Sequence, residues 1–165
     1  MKNTSTKKMM MLVAVVIAIA ACQISASAST IKVIATRTAN DNDVTTGVLK
    51  ALTQGGATSV SFSTTGASSL VKITYNAECG VLGTSQAWVA VTIFVDGVEA
   101  NPKNNTDFAL CTASSTTAFQ WVGAVRQSTI KVAAGTHAVT VRVDLLNGAT
   151  QWWLGDTSLS IETQP

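Results

Sequence analysis

The clearest hydrophobic pattern in the chain is a strict alternation over residues 137–146. Every second residue from Val139 to Leu145 is aliphatic, and the residues between them are small, polar or charged. Because successive side chains of a strand point to opposite faces, this pattern predicts a half-buried antiparallel strand. Gly135 precedes the segment and Asn147-Gly148, a strong hairpin-turn signal, follows it.

The same alternation, or a short apolar run between turn residues, recurs along the chain. Strands are predicted over residues 31–39, 58–64, 70–78, 87–95, 98–100, 108–113, 119–133, 137–146, 150–154 and 158–163. About nine or ten short strands with Gly, Asn and Asp turns between them are typical of a sandwich. We therefore predict an all-β fold, an antiparallel β-sandwich of jelly-roll type.

Several local features refine this interpretation. Residues 40–43 (Asn-Asp-Asn-Asp) predict a turn, and residues 44–52 predict either a strand or an irregular turn. Strands 58–64 and 70–78 are expected to form a hairpin. Residues 87–95 are nearly all apolar, which predicts a central strand, and Trp121 alternates with Phe119 and is expected in the core.

The N-terminus has the pattern of an export signal. Three lysines precede an apolar run over residues 9–21, and Ala26-Ser27-Ala28 is typical of a cleavage site. The run is shorter than the roughly 20 residues that a membrane-spanning helix needs. We therefore predict a signal peptide over residues 1–28, one domain over residues 29–165, and a secreted or periplasmic location.

Cys22 provides an alternative to simple cleavage. Ile19-Ala20-Ala21-Cys22 resembles the lipobox of bacterial lipoproteins, in which the cysteine is lipidated. Lipidation there would make the protein an outer-membrane lipoprotein, and this anchor is the only membrane attachment that we expect.

The charge of the mature chain argues against nucleic acid as a partner. Three of the eleven Lys and Arg residues, and none of the nine Asp and Glu residues, lie in the signal, so the remainder carries about −1. Its basic residues are scattered singly, without the cluster that binds phosphates.

Two cysteines, Cys79 and Cys111, remain after the signal. An exported chain meets an oxidising compartment, so this pair predicts one disulfide. A catalytic or metal-bound thiol is the alternative, but no Cys-x-x-Cys motif accompanies either residue.

Three turn-and-strand motifs stand out in the second half of the chain. They are Phe94-Val95-Asp96-Gly97, the Gly-Thr-His opening of the strand at 137–146, and Leu154-Gly155-Asp156-Thr157-Ser158-Leu159. These motifs resemble those of secreted bacterial jelly-roll modules, including carbohydrate-binding modules and uncharacterised surface domains. The resemblance implies a fold rather than a chemistry.

The tryptophans are the main candidates for ligand binding. Trp152 and Trp153 are adjacent in a predicted strand, so their rings must point to opposite faces, and one of them can be exposed. An exposed ring beside the amides of Gln151 and Asn147 would suit a sugar. Trp88 carries the same ambiguity. The alternative is that all these rings pack in the interior.

Polar residues offer fewer candidates. His137 is the only histidine, and we interpret it as structural, with general-base or metal chemistry as the alternative. Asp41 and Asp43 are candidate calcium ligands in an oxygen-rich loop, with Asp107 and Asp156 as completing ligands. No other cofactor is expected.

These observations favour an exported, non-enzymatic binding domain whose partner is a glycan, bound through an exposed tryptophan. The alternatives are a structural or adhesive surface subunit, which would contact another surface protein, and a small secreted hydrolase. Hydrolysis lacks a recognisable Ser/His/Asp set or carboxylate pair in the sequence.

Overall fold

The structure, a computed structural model, describes residues 29–103 and 108–165. The described residues do not include the proposed export signal, Cys22 or Asp107. Signal cleavage, lipidation of Cys22 and a calcium ligand at Asp107 therefore stay predictions. Among the described residues, no helix has the length and apolar character needed to cross a membrane.

Eleven strands account for the regular structure of the described residues. They are β1 (Thr30–Arg37), β2 (Asp41–Asp43), β3 (Val48–Leu49), β4 (Ser59–Thr64), β5 (Ser69–Gly83), β6 (Trp88–Val95), β7 (Val98–Glu99), β8 (Ala109–Thr112), β9 (Val122–Val132), β10 (Gly135–Leu146) and β11 (Ala149–Gln164).

The strands form two antiparallel sheets. Sheet 1 has the order β1-β11-β5-β9, and β2 pairs with the remaining part of β11. Sheet 2 has the order β3-β10-β6-β7, with β4 also on β10 and β8 also on β6. The predicted all-β antiparallel sandwich is therefore confirmed.

One hydrophobic core is built from the inward positions of both sheets. Sheet 1 contributes alternate residues of β5 and β11, such as Ile73, Tyr75 and Ile161, which are fully buried. The even alternation of β10 buries Val139, Val141 and Val143 from sheet 2 in the same cluster. The period-2 alternation therefore places one face of each sheet in the core, as the sequence predicts.

β10 and β6 have the central positions expected of them. β10 pairs with β6 along its length and with β3 and β4 on its other side. The tight turn at Asp96-Gly97 connects β6 to β7, and both turn residues have positive φ (51° and 78°).

Two sequence predictions are wrong in pairing or extent. The strands at 58–64 and 70–78 form no hairpin, because β4 pairs with β10 in sheet 2 whereas β5 lies in sheet 1. Residues 150–154 and 158–163 belong to one strand, β11, which continues through a register shift between Gly155 and Ser158. Asp156 occupies that bulge with φ 43°.

Residues 41–43 also differ from the predicted turn. They form β2, in which Asn42 is the partner of Trp153 on β11. A segment of Asn and Asp favours turns by itself, but here the ladder with β11 satisfies its backbone groups.

The predicted disulfide between Cys79 and Cys111 is confirmed. Cys79 lies on β5 in sheet 1 and Cys111 on β8 in sheet 2, and both are buried. The bond therefore connects the two sheets across the core.

Candidate functional site

β11 separates the two adjacent tryptophans. Trp152 points inward and is 3% exposed, and its indole N–H donates a hydrogen bond of 3.1 Å to the carbonyl oxygen of Thr45. It is a core residue and is not available to a ligand. Trp153 points to the outer face of sheet 1, where it is partly buried.

Neighbouring strands place further residues beside Trp153 on this face. Trp153 pairs with Asn42 on one side and with Gly80 of β5 on the other. Trp121 directly precedes Val122, the partner of Cys79, and so lies next to Gly80. The four residues Asn42, Trp153, Gly80 and Trp121 thus form one row across the sheet.

Gly80 allows two aromatic rings to pack directly against the backbone of β5. A Cβ at Gly80 would lie 3.1 Å from Cδ1 of Phe119 and 3.3 Å from Cδ1 of Trp121, closer than ordinary van der Waals contact. Because glycine has no Cβ, both rings rest directly on β5.

Phe119, Trp121 and Trp153 form a cluster, which we call the aromatic cluster. The ring centroids of Trp121 and Trp153 are 5.5 Å apart at an interplanar angle of 77°, and those of Phe119 and Trp121 are 6.0 Å apart. The edge-to-face contact is a favoured geometry for indole pairs and fixes the orientation of Trp121.

Trp121 is 55% exposed, so the prediction that it lies in the core is wrong. The alternation of Trp121 with Phe119 predicts that the two rings lie on the same face of the strand, but it does not predict whether that face is the core or the outer surface. The pairing of Val122 with the buried Cys79 gives the answer, because residues next to an inward position point outward.

Polar groups lie one row further along the same face. Glu78 is exposed and is paired with Gly155 on β11 and Gly123 on β9. A Cβ at Gly123 would have no atom within 4 Å, whereas one at Gly155 would overlap the benzo ring of Trp153 and Oδ1 of Asn40. The result is an open strip of backbone at Gly123, bordered by Glu78, whereas the Trp153 ring and Asn40 cover the backbone at Gly155.

Of the other ligand-binding residues predicted from the sequence, Gln151 lies on this face and Asn147 does not. Gln151 lies on the same face of β11 as Trp153, two residues earlier, and is partly buried. Asn147 occupies the turn before β11 with φ 52°, and its amide donates a hydrogen bond of 2.7 Å to the Gln86 carbonyl. Asn147 therefore belongs to a turn and does not accompany Trp153.

Trp88 lies on the other sheet. It points to the outer face of sheet 2, between Leu146 and Thr112, and is partly buried. Its indole nitrogen is buried and has no hydrogen-bond partner among the described residues. Trp88 is therefore not part of the aromatic cluster.

The candidate calcium ligands are engaged by the protein itself. Asp41 forms ion pairs with Arg37, at 2.8 Å, and with Lys50. Asp43 accepts hydrogen bonds from the amides of Val44 and Thr45 and from the Thr45 hydroxyl. Two cationic groups on Asp41 occupy the place of a divalent cation, so this loop does not fit calcium. Among the described residues, no three His, Cys, Asp or Glu side chains are grouped as metal ligands.

The ion pairs of Asp41 with Arg37 and Lys50 are partly buried, and they anchor β2. Burial alone would raise the pKa of Asp41, but hydrogen bonds from Arg37 and Lys50 outweigh it and lower that pKa. The side chain of Lys50 is fully buried, and desolvation lowers its pKa despite the contact with Asp41. Asp41 remains a carboxylate and holds β2, with Asn42, against β11.

His137 has a structural environment. Nδ1 lies 2.7 Å from Oδ2 of Asp96, and Nε2 lies 3.1 Å from the carbonyl oxygen of Ala133. The hydrogen bond with Asp96 raises the pKa of His137, and the same bond lowers the pKa of Asp96. Both ring nitrogens are engaged, so His137 joins the start of β10 to the β6–β7 turn.

Comparison with known proteins gives similarity in structure only. No family model matches the chain, and no curated protein matches it. Three of the similar solved structures are a sugar-binding protein, the EclA C-terminal domain; dimeric latent PorU from Porphyromonas gingivalis; and a family 35 carbohydrate-binding module from Clostridium thermocellum.

The first match has 12% identity and a TM-score of 0.41 and covers 74% of this chain and 77% of the other. PorU has 8% identity and a TM-score of 0.41, and the match covers 82% of this chain but 13% of PorU. The family 35 module has 13% identity and a TM-score of 0.30, with 82% and 97% covered. Carbohydrate-binding modules are thus among the similar structures, as the turn and strand motifs predict. These identities and TM-scores are too low to assign a family or a ligand.

Proposed function

We propose that the protein is an exported, non-enzymatic carbohydrate-binding domain and that the aromatic cluster is its binding site. The observation that carries this proposal is the 55% exposure of Trp121, held edge-to-face against Trp153 on the outer face of sheet 1. A large apolar ring in water costs free energy unless a ligand covers it.

A sugar ring suits this surface chemically. Its C–H groups form an apolar face that packs on an indole, and its hydroxyls need polar partners at the edge of that ring. Asn40, Asn42 and Glu78 supply amide and carboxylate groups around the aromatic cluster. The open strip at Gly123 leaves room for a ligand to lie along the sheet.

The proposal is tested by titrating the protein with a panel of neutral, amino, N-acetylated and acidic oligosaccharides while tryptophan fluorescence and heat of binding are recorded. Trp121→Ala should weaken binding about 30-fold or more, the loss expected for an aromatic hot spot. Val98→Ala is the matched control, because Val98 is 52% exposed on β7 of the other sheet, away from the aromatic cluster. No response to any panel member, or equal binding by both variants, would contradict the proposal.

A structural or adhesive subunit is the second candidate, and one observation favours it. β1 lies at the edge of sheet 1 and exposes Ile31 (59%) and Ile34 (64%). Exposed apolar residues on an unpaired edge favour strand-to-strand association. This candidate predicts a concentration-dependent oligomer in light scattering that Ile34→Lys abolishes, and a monomer at all concentrations would exclude it.

A further inference from the structure

Two carboxylates beside the aromatic cluster have no partner among the residues that the structure describes. Four other acids, Asp41, Asp96, Asp144 and Glu162, are held in ion pairs. Glu78 and Asp156 make neither a hydrogen bond nor an ion pair within the described part of the chain.

Both free acids lie within reach of a ligand on the aromatic cluster. Glu78 is two residues from Gly80 on the same face of β5, a distance of about 7 Å. Gly155 is the partner of Glu78 across the ladder, and Asp156 follows Gly155 in the bulge. Gly123 leaves the β9 side of Glu78 open, whereas on the β11 side the Trp153 ring and Oδ1 of Asn40 occupy the space at Gly155.

No lysine or arginine among the described residues lies beside these acids on the outer face. The outward positions around the aromatic cluster hold amides, aromatic rings, glycines, Leu82, Val125 and Glu78. The outward lysines of β5 and β9, Lys72 and Lys131, lie near the other end of these strands. The nearest basic groups on β1 and after β3, Arg37 and Lys50, are bound to Asp41 on the inner side of β11.

We infer that the ligand of the aromatic cluster is a cationic glycan, an amino sugar polymer whose amines are not acetylated. This inference rests on the proposed function and names its ligand class. An ammonium group interacts favourably with the face of an indole and with a carboxylate, and one sugar can place its amine between Trp153 and Glu78. Uronic and sialic acids would be repelled by the same two acids.

The experiment compares glucosamine oligomers with N-acetylglucosamine and glucose oligomers of equal length at low salt. The unacetylated oligomer should bind about tenfold tighter or more, because an ion pair and a cation–π contact are added. Raising the salt concentration should reduce this preference by screening.

Glu78→Gln combined with Asp156→Asn should remove the preference, and both changes preserve shape; Asn also tolerates the positive φ of residue 156. Glu162→Gln is the control, because it removes a negative charge from the far end of β11 and should leave the preference intact.

Each outcome separates this inference from the proposed function. Equal binding of the three oligomers, with dependence on Trp121, would overturn the inference and leave the carbohydrate site in place. Binding of oligolysine as tight as that of the glucosamine oligomer would overturn it too, since charge without a sugar would then suffice. Failure of every oligomer to bind would overturn the proposed function itself.

Discussion

The outer faces of the two sheets carry similar residues in opposite states. On sheet 2, the Arg142 guanidinium lies 5.0 Å from the ring centroid of Phe94 and forms a 2.8 Å ion pair with Asp144. On sheet 1, Trp121 is uncovered and Glu78 has no partner among the described residues. Aromatic and acidic groups are present on both faces, but those of sheet 2 share one arginine, whereas no lysine or arginine among the described residues contacts Trp121 or Glu78.

This difference supports the proposal that the outer face of sheet 1 is the binding surface. A ring covered by a guanidinium and an acid paired with it already have the contacts that a ligand would offer, and exchanging them yields little free energy. Uncovered rings and unpaired acids obtain such contacts only from outside the protein. The state of the neighbours, rather than the residue type, distinguishes a site from an ordinary sheet surface.

The largest effect is expected from removing the bond that joins the two sheets. Replacing Cys79 and Cys111 by alanine opens a loop with a sequence separation of 32 residues. The free energy of unfolding should fall by about 4 kcal/mol in the chain-entropy model, and urea denaturation without reductant measures it. An unchanged urea midpoint would mean that the core alone holds the sheets together.

A smaller effect is expected from adding one methyl group beside the cluster. Gly155→Ala places a Cβ against the Trp153 ring and Asn40, which should displace the ring, weaken glycan binding about tenfold and destabilise the fold by about 1–3 kcal/mol. Gly123→Ala is the matched control for stability, because its Cβ meets no atom within 4 Å. An equal loss of unfolding free energy in the two variants would contradict the packing at Gly155.

The paired and unpaired acids should differ in their effect on stability. Asp144→Asn leaves Arg142 without its charged partner and should reduce the free energy of unfolding by about 1–2 kcal/mol, since Asp144 is 8% exposed. Glu78→Gln should leave it within about 0.5 kcal/mol. Thermal unfolding of both variants at one pH tests this, and a destabilised Glu78 variant would reveal a structural role for that side chain.

The smallest effect is a pH dependence at the far corner of the sandwich. Because the pKa of His137 is raised above its ordinary value of 6.5, its contribution is complete below pH 6.5 and is lost as pH rises through the raised pKa. The pKa of Asp96 is lowered from 3.8, so its contribution is lost as pH falls through that lower value. The pair therefore stabilises most between about pH 4 and 6.5.

This pair should contribute about 0.5 kcal/mol, since Asp96 is half exposed and solvent screens it. His137→Gln should lower the melting temperature at pH 5.5 more than at pH 8.5. A difference that is independent of pH would show that packing against Phe62, rather than charge, gives His137 its effect.

The sequence predicts the local elements well and their partners poorly. Alternation identifies β10 and β6 because it reflects which side of a single strand is buried. It cannot predict that β4 pairs with β10 rather than β5, because that choice depends on packing between residues far apart in the chain. The disulfide was predictable, since only two cysteines lie outside the predicted signal.

The candidate site, like the fold, could be predicted from the sequence only in part. Adjacent residues of a strand point to opposite faces, so the sequence alone establishes that Trp152 and Trp153 diverge. It could not identify Trp121, because the direction of that ring depends on the register of β9 against β5. One signal was available: a cross-sheet disulfide requires Cys79 to point inward, which turns Gly80 outward and leaves bare backbone for a ring.

The row of Asn42, Trp153, Gly80 and Trp121 draws on β2, β11, β5 and the residue just before β9, which lie far apart in the chain. Asn42 and Trp153 are neighbours in space although more than a hundred residues separate them in sequence. Contacts of such long range form slowly, and the ladder between β2 and β11 cannot exist before the C-terminal strand is made. Ligand binding at this row would therefore report that folding is complete, and a fragment lacking β11 would have no site to assemble.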